Sequence, residues 1–196
     1  MKKEHIAEIV SIDSFDILGE INGLETIPIG TLLETRKCVK IIFVVLDDLF
    51  QTAIPNVLPQ SYGIDEDRLD KEFPHRADYL RYLIKLYPIA EYDDEAFNLP
   101  MRSPLMNALL YELELEKEHL LFEKFDIMSA LFSIDVKKFP RRNKAIINLI
   151  KTYLSYFDST QTQKLLEGIF DKISIASYSD VNSISEIVKG IRHGSI

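Results

Sequence analysis

Residues 6–49 read IAEIVSIDSFDILGEINGLETIPIGTLLETRKCVKIIFVVLDDL. Short apolar runs are separated in this stretch by turn-forming residues, first at Asp13-Ser14 and then at Gly19. The last run, Val39 to Leu46, is rich in β-branched residues and has no polar residue after Lys40. Short β-rich runs separated by Gly, Asn and Asp are typical of a small antiparallel barrel or meander. We therefore expect at least three strands within residues 5–47.

One turn in this stretch has a specific sequence signal. Asn22-Gly23 can take the two positive φ values that a type I′ hairpin turn requires. The dipeptide lies between two apolar runs, so it predicts a tight hairpin there.

The middle of the chain is harder to assign. Residues 77–92, ADYLRYLIKLYPIAEY, fit both a helical stripe and an alternating strand. Pro88 argues against a helix that continues to Tyr92, and the tyrosines favour a strand, which we predict. Residues 105–115 fit either a strand or the start of a helix. We predict a loop over residues 51–63 and a short helix over residues 64–72.

From Glu116 onward the apolar residues recur at three- and four-residue steps, which indicates helices. The pattern predicts four helices with short connections, arranged as an antiparallel bundle or half of one. Capping-box spacings are present at Thr160 with Gln163 and at Ser183 with Glu186.

These patterns predict an α+β fold. An N-terminal small antiparallel β-barrel is expected over residues 1–115, followed by a C-terminal helical domain over residues 116–196. The alternative is an all-helical protein whose first fifty residues only mimic strands.

The charge of the chain is unevenly distributed. The net charge is −8, made of −13 in residues 1–135 and +5 in residues 136–196. The body should repel nucleic acid, whereas the tail can attract it. The single cysteine, Cys38, rules out an internal disulfide, and no apolar run is long enough to span a membrane. We therefore expect a cytoplasmic protein that does not bind a membrane.

No catalytic signature is present. The sequence lacks the motifs of a nucleophile elbow, a dinucleotide fold and a phosphate loop. The four histidines are far apart, and Glu116 with His119 is a single Glu-x-x-His pair, which we interpret as an exposed helix pair. Cys38 is interpreted as a buried strand residue. We expect no enzymatic activity, no catalytic residues, no cofactor and no metal site.

A basic run is the one candidate site. Five cations surround Phe139-Pro140 at a predicted helix N-terminus, which favours anions. They predict weak, non-specific nucleic-acid binding. The alternative is that these bases face water or pair with acids of the chain itself. The five are Lys137, Lys138, Arg141, Arg142 and Lys144.

The N-terminal half resembles the HAS barrel, the small β-barrel shared by HerA-type DNA-translocating ATPases and rotary ATP synthases. The similar segments are IAEIVSIDSFDILGEI, IPIGTLLE with Gly30, and KIIFVVLDD. A later segment, FNLPMRSPLMNALLYE, resembles the exit from that barrel before the motor domain. The resemblance covers residues 5–113. The ATPase continues into a motor with a phosphate loop, which this chain lacks, so ATP hydrolysis is not implied.

What the resemblance implies is the role of the barrel itself, which is ring assembly and docking of a partner. We expect a non-enzymatic interaction module that forms a homo-oligomer and docks a motor ATPase or a nuclease in a DNA-processing complex. The alternative function is an acidic inhibitor that neutralises a toxin or a nuclease by covering its basic surface.

Overall fold

A computed structural model describes most of the chain, and the statements below concern those residues alone. Cys38, His75, His193, the predicted loop over residues 51–63 beyond residue 52, and the predicted helix over residues 64–72 lie outside it. The described ranges are 4–13, 16–22, 26–37, 39–52, 80–93, 96–176 and 180–192.

Seven antiparallel strands form one sheet, and six of them close into a barrel. The order is β2-β1-β7-β3-β4-β5, closed by pairing of β2 with β5, while β6 extends the sheet beyond β5. The predicted β-barrel is confirmed, as are the strands within residues 5–47. The bounds are β1 Ala7–Asp13, β2 Asp16–Ile21, β3 Leu32–Thr35, β4 Ile41–Thr52, β5 Leu80–Asp93, β6 Ala96–Asn98 and β7 Leu109–Glu112.

Five helices follow the strands in the described part of the chain. The α+β class is therefore confirmed, and the all-helical alternative is excluded. None of the described helices is both long enough and apolar enough to cross a membrane. The bounds are α1 Leu115–Lys124, α2 Ile127–Phe132, α3 Arg142–Leu154, α4 Ser159–Ala176 and α5 Val181–Arg192.

Residues 41–46 of strand β4 are buried on both faces, and they alternate between two apolar clusters. Ile41, Phe43 and Val45 point into the barrel interior. Ile42, Val44 and Leu46 lie on the outer face, in one cluster with the buried residues of all five helices. This two-sided burial explains why the run has no polar alternation. The helices thus cover the barrel wall, and the division into two domains at residue 115 stays a prediction.

The ambiguous middle segments are settled by the structure. The strand predicted over residues 77–92 is confirmed as β5, which pairs along β4. Pro88 lies within it opposite Phe43, next to a register shift between Ile42 and Phe43, where a residue without an N–H is tolerated. Residues 105–115 contain both alternatives, because strand β7 ends at Glu112 and helix α1 begins at Leu115.

The strand pairing does not support the hairpin predicted at Asn22-Gly23, and Gly23 itself lies outside the described residues. Strand β2, which ends one residue earlier, pairs with β1 and β5, whereas β3 pairs with β4 and β7. The strands on either side of the dipeptide are therefore not partners. Instead, the backbone N–H of Asn22 donates to the carbonyl of Ile6, which extends the pairing of β2 with β1.

Two details of the helical prediction also need correction. The first predicted helix is two helices, because Asp126 interrupts it and accepts a hydrogen bond from the N–H of Ser129 at the start of α2. Neither predicted capping box forms. Asp158 accepts from the N–H groups of Thr160 and Gln161, and Asp180 accepts from that of Ser183. The caps therefore lie earlier than the spacings suggested.

A close approach at Gly30 joins the barrel to helix α3. Gly30 has φ +96°, and a Cβ there would lie 2.6 Å from the carbonyl oxygen of Ala145 and 2.9 Å from the nitrogen of Leu149. Beside it, the side-chain amide of Asn148 donates to the carbonyl of Ile29 at 3.0 Å. Only glycine satisfies both the backbone angle and the space.

We predict opposite effects for alanine at two glycines. Gly30→Ala should lower the free energy of unfolding by about 3 kcal/mol, because it adds a strained φ and a clash with helix backbone. Gly168→Ala, within α4, meets no atom within 4 Å and should raise it by about 0.5 to 1 kcal/mol. Urea titration followed by circular dichroism measures both. Equal stabilities of the two variants would contradict the close approach at Gly30.

Candidate functional site

The connection from β6 to β7 exposes an unusual amount of apolar surface. Pro100 and Pro104 interrupt this segment, and no helix forms in it. Between them, the side chain of Met101 is 91% exposed. Large exposed apolar side chains that cluster on one loop of a rigid scaffold are typical of an interaction surface. We call residues 99–106 the apolar segment, and its exposed large side chains are Leu99, Met101, Leu105 and Met106.

A groove of about 470 Å³ lies beside the apolar segment. Its walls come from the segment, from Tyr87 and Ile89 of β5, and from Ala130 of helix α2. The guanidinium of Arg102 pairs with the carboxylate of Glu91 on β5, which anchors the segment to the barrel.

The five cations of the predicted nucleic-acid site do not form one exposed patch. Arg142 is only 3% exposed, and its guanidinium donates to the carbonyls of Phe132 and Ile134. It also donates to Asp180 and Ser183 at the start of α5, at 2.9 and 2.8 Å. Arg142 therefore links α3 to α5, and a phosphate contact would require these bonds to break.

The other four cations divide into two pairs. Arg141 bridges Asp47 and Asp48 of β4 at 2.8 and 2.9 Å, and Lys138 pairs with Asp16 of β2 at 3.0 Å. Lys137 and Lys144 are exposed and form no ion pair with any described residue. This geometry favours the alternative in which the bases pair with acids of the same chain. Nucleic-acid binding stays a prediction, now supported by two unpaired lysines rather than five cations.

A buried carboxylate lies where helix α1 meets the barrel. Glu34 of β3 is fully buried, and Tyr92 of β5 donates its hydroxyl to it at 2.6 Å. Lys117 of α1 and Arg36 donate to the same carboxylate at 2.9 and 2.7 Å. Although burial raises the pKa of Glu34, these three donors hold it below its usual value. The carboxylate is thus kept ionised and joins three elements. No feature of the sequence pattern pointed to it.

The predicted Glu116 and His119 pair does not form. The imidazole of His119 instead contacts Glu123 at 3.3 Å and the hydroxyl of Tyr153 at 2.8 Å. Burial raises the pKa of Tyr153 to about 12, so its hydroxyl keeps its proton and can donate to His119. Among the residues that the structure describes, no group of three or more His, Cys, Asp or Glu residues could hold a metal ion.

Comparison with known proteins adds no family. A scan against protein-family models found no matching model, and a search of curated proteins found no matching relative. The residues of this chain are therefore the evidence for its function.

The buried carboxyl of Glu118 should make stability depend on pH. Burial and the nearby charge of Glu112 raise its pKa from 4.5 to about 7. The folded chain binds this proton more tightly than the unfolded chain does. The resulting stabilisation of the fold is fully present below pH 4.5 and is lost as the pH rises through 7. Glu118→Gln mimics the protonated acid, so we predict that it raises the free energy of unfolding at pH 8 by up to about 3 kcal/mol.

The measurement is urea titration of both proteins at pH 5 and pH 8. Glu116→Gln removes an exposed carboxylate from the same helix and is the matched control. A gain at pH 8 that is no larger than the gain at pH 5 would refute the raised pKa.

Two adjacent arginines should differ sharply in their effect on stability. Arg142→Ala removes the donor to the carbonyls of Phe132 and Ile134 and the ion pair with Asp180, and we predict a loss of about 2 to 4 kcal/mol. Arg141→Ala removes a half-exposed ion pair and should cost less than about 1 kcal/mol. Denaturant titration checks the difference, and equal costs would show that Arg142 has no structural role.

Proposed function

We propose that this protein is a non-enzymatic assembly module whose barrel docks a protein partner in a DNA-processing complex. The observation that carries the proposal is the apolar segment, in which Leu99, Met101, Leu105 and Met106 are each more than half exposed beside a groove. Exposed apolar surface of this kind is costly in water and is typical of protein interaction sites.

The chemistry of the segment suits a protein partner. Methionine side chains are flexible and polarizable, so Met101 and Met106 can adapt to an apolar surface. The two prolines limit the conformations of the free loop, which reduces the entropy lost on docking. The groove next to them can accept an apolar side chain of the partner, as in a central interface pocket.

The class of partner comes from the resemblance to the HAS barrel. The apolar segment lies within the stretch that resembles the exit from that barrel, where the motor domain follows in the ATPase. A motor ATPase or a nuclease bound to it is therefore the proposed partner, and self-association into a homo-oligomer is proposed with it. A weak DNA contact would depend on Lys137 and Lys144, which are exposed and unpaired among the described residues.

The acidic inhibitor ranks second because many acids of the barrel are already paired. Glu34, Glu91, Asp47 and Asp48 each form an ion pair with a base of this same chain. Neutralised carboxylates contribute less to the attraction of a basic enzyme surface. An inhibitor would be a monomer or a dimer and would silence a nuclease at a near-stoichiometric ratio.

The test is sedimentation velocity of the full chain, alone and mixed with a HerA-type ATPase or its associated nuclease from the same genome. We predict concentration-dependent self-association and a discrete complex with one of these partners. The double variant Met101→Ser with Met106→Ser should weaken the complex by at least tenfold, because it removes the two exposed methionines of the segment.

The matched control is Ile175→Ser, which removes a similarly exposed aliphatic residue from helix α4. It should leave the complex unchanged. A monomeric protein that binds neither partner but inhibits a nuclease stoichiometrically would replace this proposal with the inhibitor. Equal effects of the two variants would show that the apolar segment is not the docking surface.

A further inference from the structure

A second cavity, distinct from the groove beside the apolar segment, lies among the helices. It has a volume of about 510 Å³ and opens between α1, α3 and α4. No residue of the apolar segment lines it. Its volume lies within the range of about 300 to 1,000 Å³ that is usual for small-molecule sites. The lining combines one aromatic wall with a small number of polar groups, which is the usual composition of such a site.

The aromatic wall is a continuous set of rings. Phe122 stacks on Tyr153 with the ring centroids 3.9 Å apart and the planes 6° from parallel. Phe157 packs against Tyr153 edge to face at 5.1 Å, and the ring of His119 lies 5.8 Å from Phe157. The hydrogen bond between Tyr153 and His119 holds the imidazole at the end of this wall. Since Phe122 and Tyr153 are buried, the half-buried ring of Phe157 is the part of this wall that a flat apolar body can pack against.

The opposite wall is a face of helix α4 with two cations. Lys164, Gly168 and Lys172 follow at four-residue steps, so they lie on one face of the helix, and all three line the cavity. Lys172 is held in place because its ammonium donates to the carbonyl of Phe122 at 2.7 Å. Lys164 is exposed and forms no ion pair with any described residue. The two lysines therefore place positive charge on both sides of the glycine.

Gly168 keeps this wall open. A glycine inside an 18-residue helix costs up to about 1 kcal/mol relative to alanine. Close packing does not explain why glycine occupies this position, since an added Cβ would meet no atom within 4 Å. Any larger side chain at this position would extend from the face that lines the cavity. The glycine thus lowers helix stability and leaves room between the lysines and the aromatic wall.

We propose that this cavity binds a small aromatic carboxylate. The flat ring lies against Phe157, whose ring packs on the buried Tyr153, and the carboxylate lies between Lys164 and Lys172. Among the described residues that line the cavity, Glu123 is the one acid; it lies 3.3 Å from the imidazole of His119 and is outnumbered by the two lysines. This site is independent of the proposed assembly role, since it uses other residues and another kind of ligand.

The experiment uses 2-naphthoate as the probe and 2-naphthalenemethanol as its uncharged analogue, each titrated into the full chain by calorimetry. We expect the naphthoate to bind with a Kd on the order of 100 µM, as is usual for a ligand of this size, and about tenfold more tightly than the alcohol. Gly168→Leu should weaken both ligands at least tenfold, because the new side chain fills the cavity.

Charge recognition is tested with Lys164→Gln combined with Lys172→Gln. This variant should lose about tenfold in affinity for the naphthoate and less than twofold for the alcohol. Lys144→Gln removes one positive charge from an exposed position that does not line the cavity, and it should change neither affinity.

Two outcomes would overturn the proposal. The first is no binding of 2-naphthoate by the unaltered chain at millimolar concentration. The second is an equal loss of affinity for both ligands in the double lysine variant. If Gly168→Leu unfolds the chain, the imidazole resonances of His119 in the unaltered protein decide instead. They should shift during the naphthoate titration, and unchanged resonances would refute this site.

Discussion

The two-sided burial of strand β4 is the constraint on which the rest of the structure depends. Ile41, Phe43 and Val45 fill the barrel, so the opposite side chains of the same strand face outward. Those outward residues are Ile42 and Val44, with Leu46 beside them, and they are apolar as well. An apolar outer wall must be covered, since exposed apolar area costs about 25 cal/mol per Å². The helices after residue 115 supply that cover, and the barrel and helices therefore share one apolar cluster.

One polar contact and one close backbone approach then determine how the helices lie on the barrel. The carboxylate of Glu34 accepts from Lys117 of α1, so this helix is held by a buried ion pair with hydrogen bonds. At the other contact, the absence of a side chain at Gly30 lets the turn approach the backbone of α3. Apolar contact alone tolerates sliding, whereas a directional bond and a close backbone approach do not.

The two candidate surfaces lie where this packing leaves the chain uncovered. The apolar segment emerges where β6 has left the barrel wall, and Arg102 anchors it to Glu91 on β5. The cavity remains where α1, α3 and α4 meet around Gly168. By contrast, cations of the basic cluster make contacts within the chain. Arg142 is buried and donates to a backbone carbonyl, and Arg141 pairs with an acid of β4. Cations that look like a binding site in a linear sequence can thus be partners for acids that are distant along the chain.

The sequence by itself determined the fold class, because the periodicity of apolar residues reports which faces are buried. The β-rich runs before residue 50 and the helical stripes after Glu116 were predicted from that signal alone. The strand pairing was not, since Asn22-Gly23 satisfies local turn chemistry although β2 and β3 are not partners. The sites also depended on tertiary structure. Glu34 meets Lys117 across 83 residues, and Arg142 meets Asp180 across 38. Contacts between residues so far apart leave no local pattern, and only the folded chain brings them together.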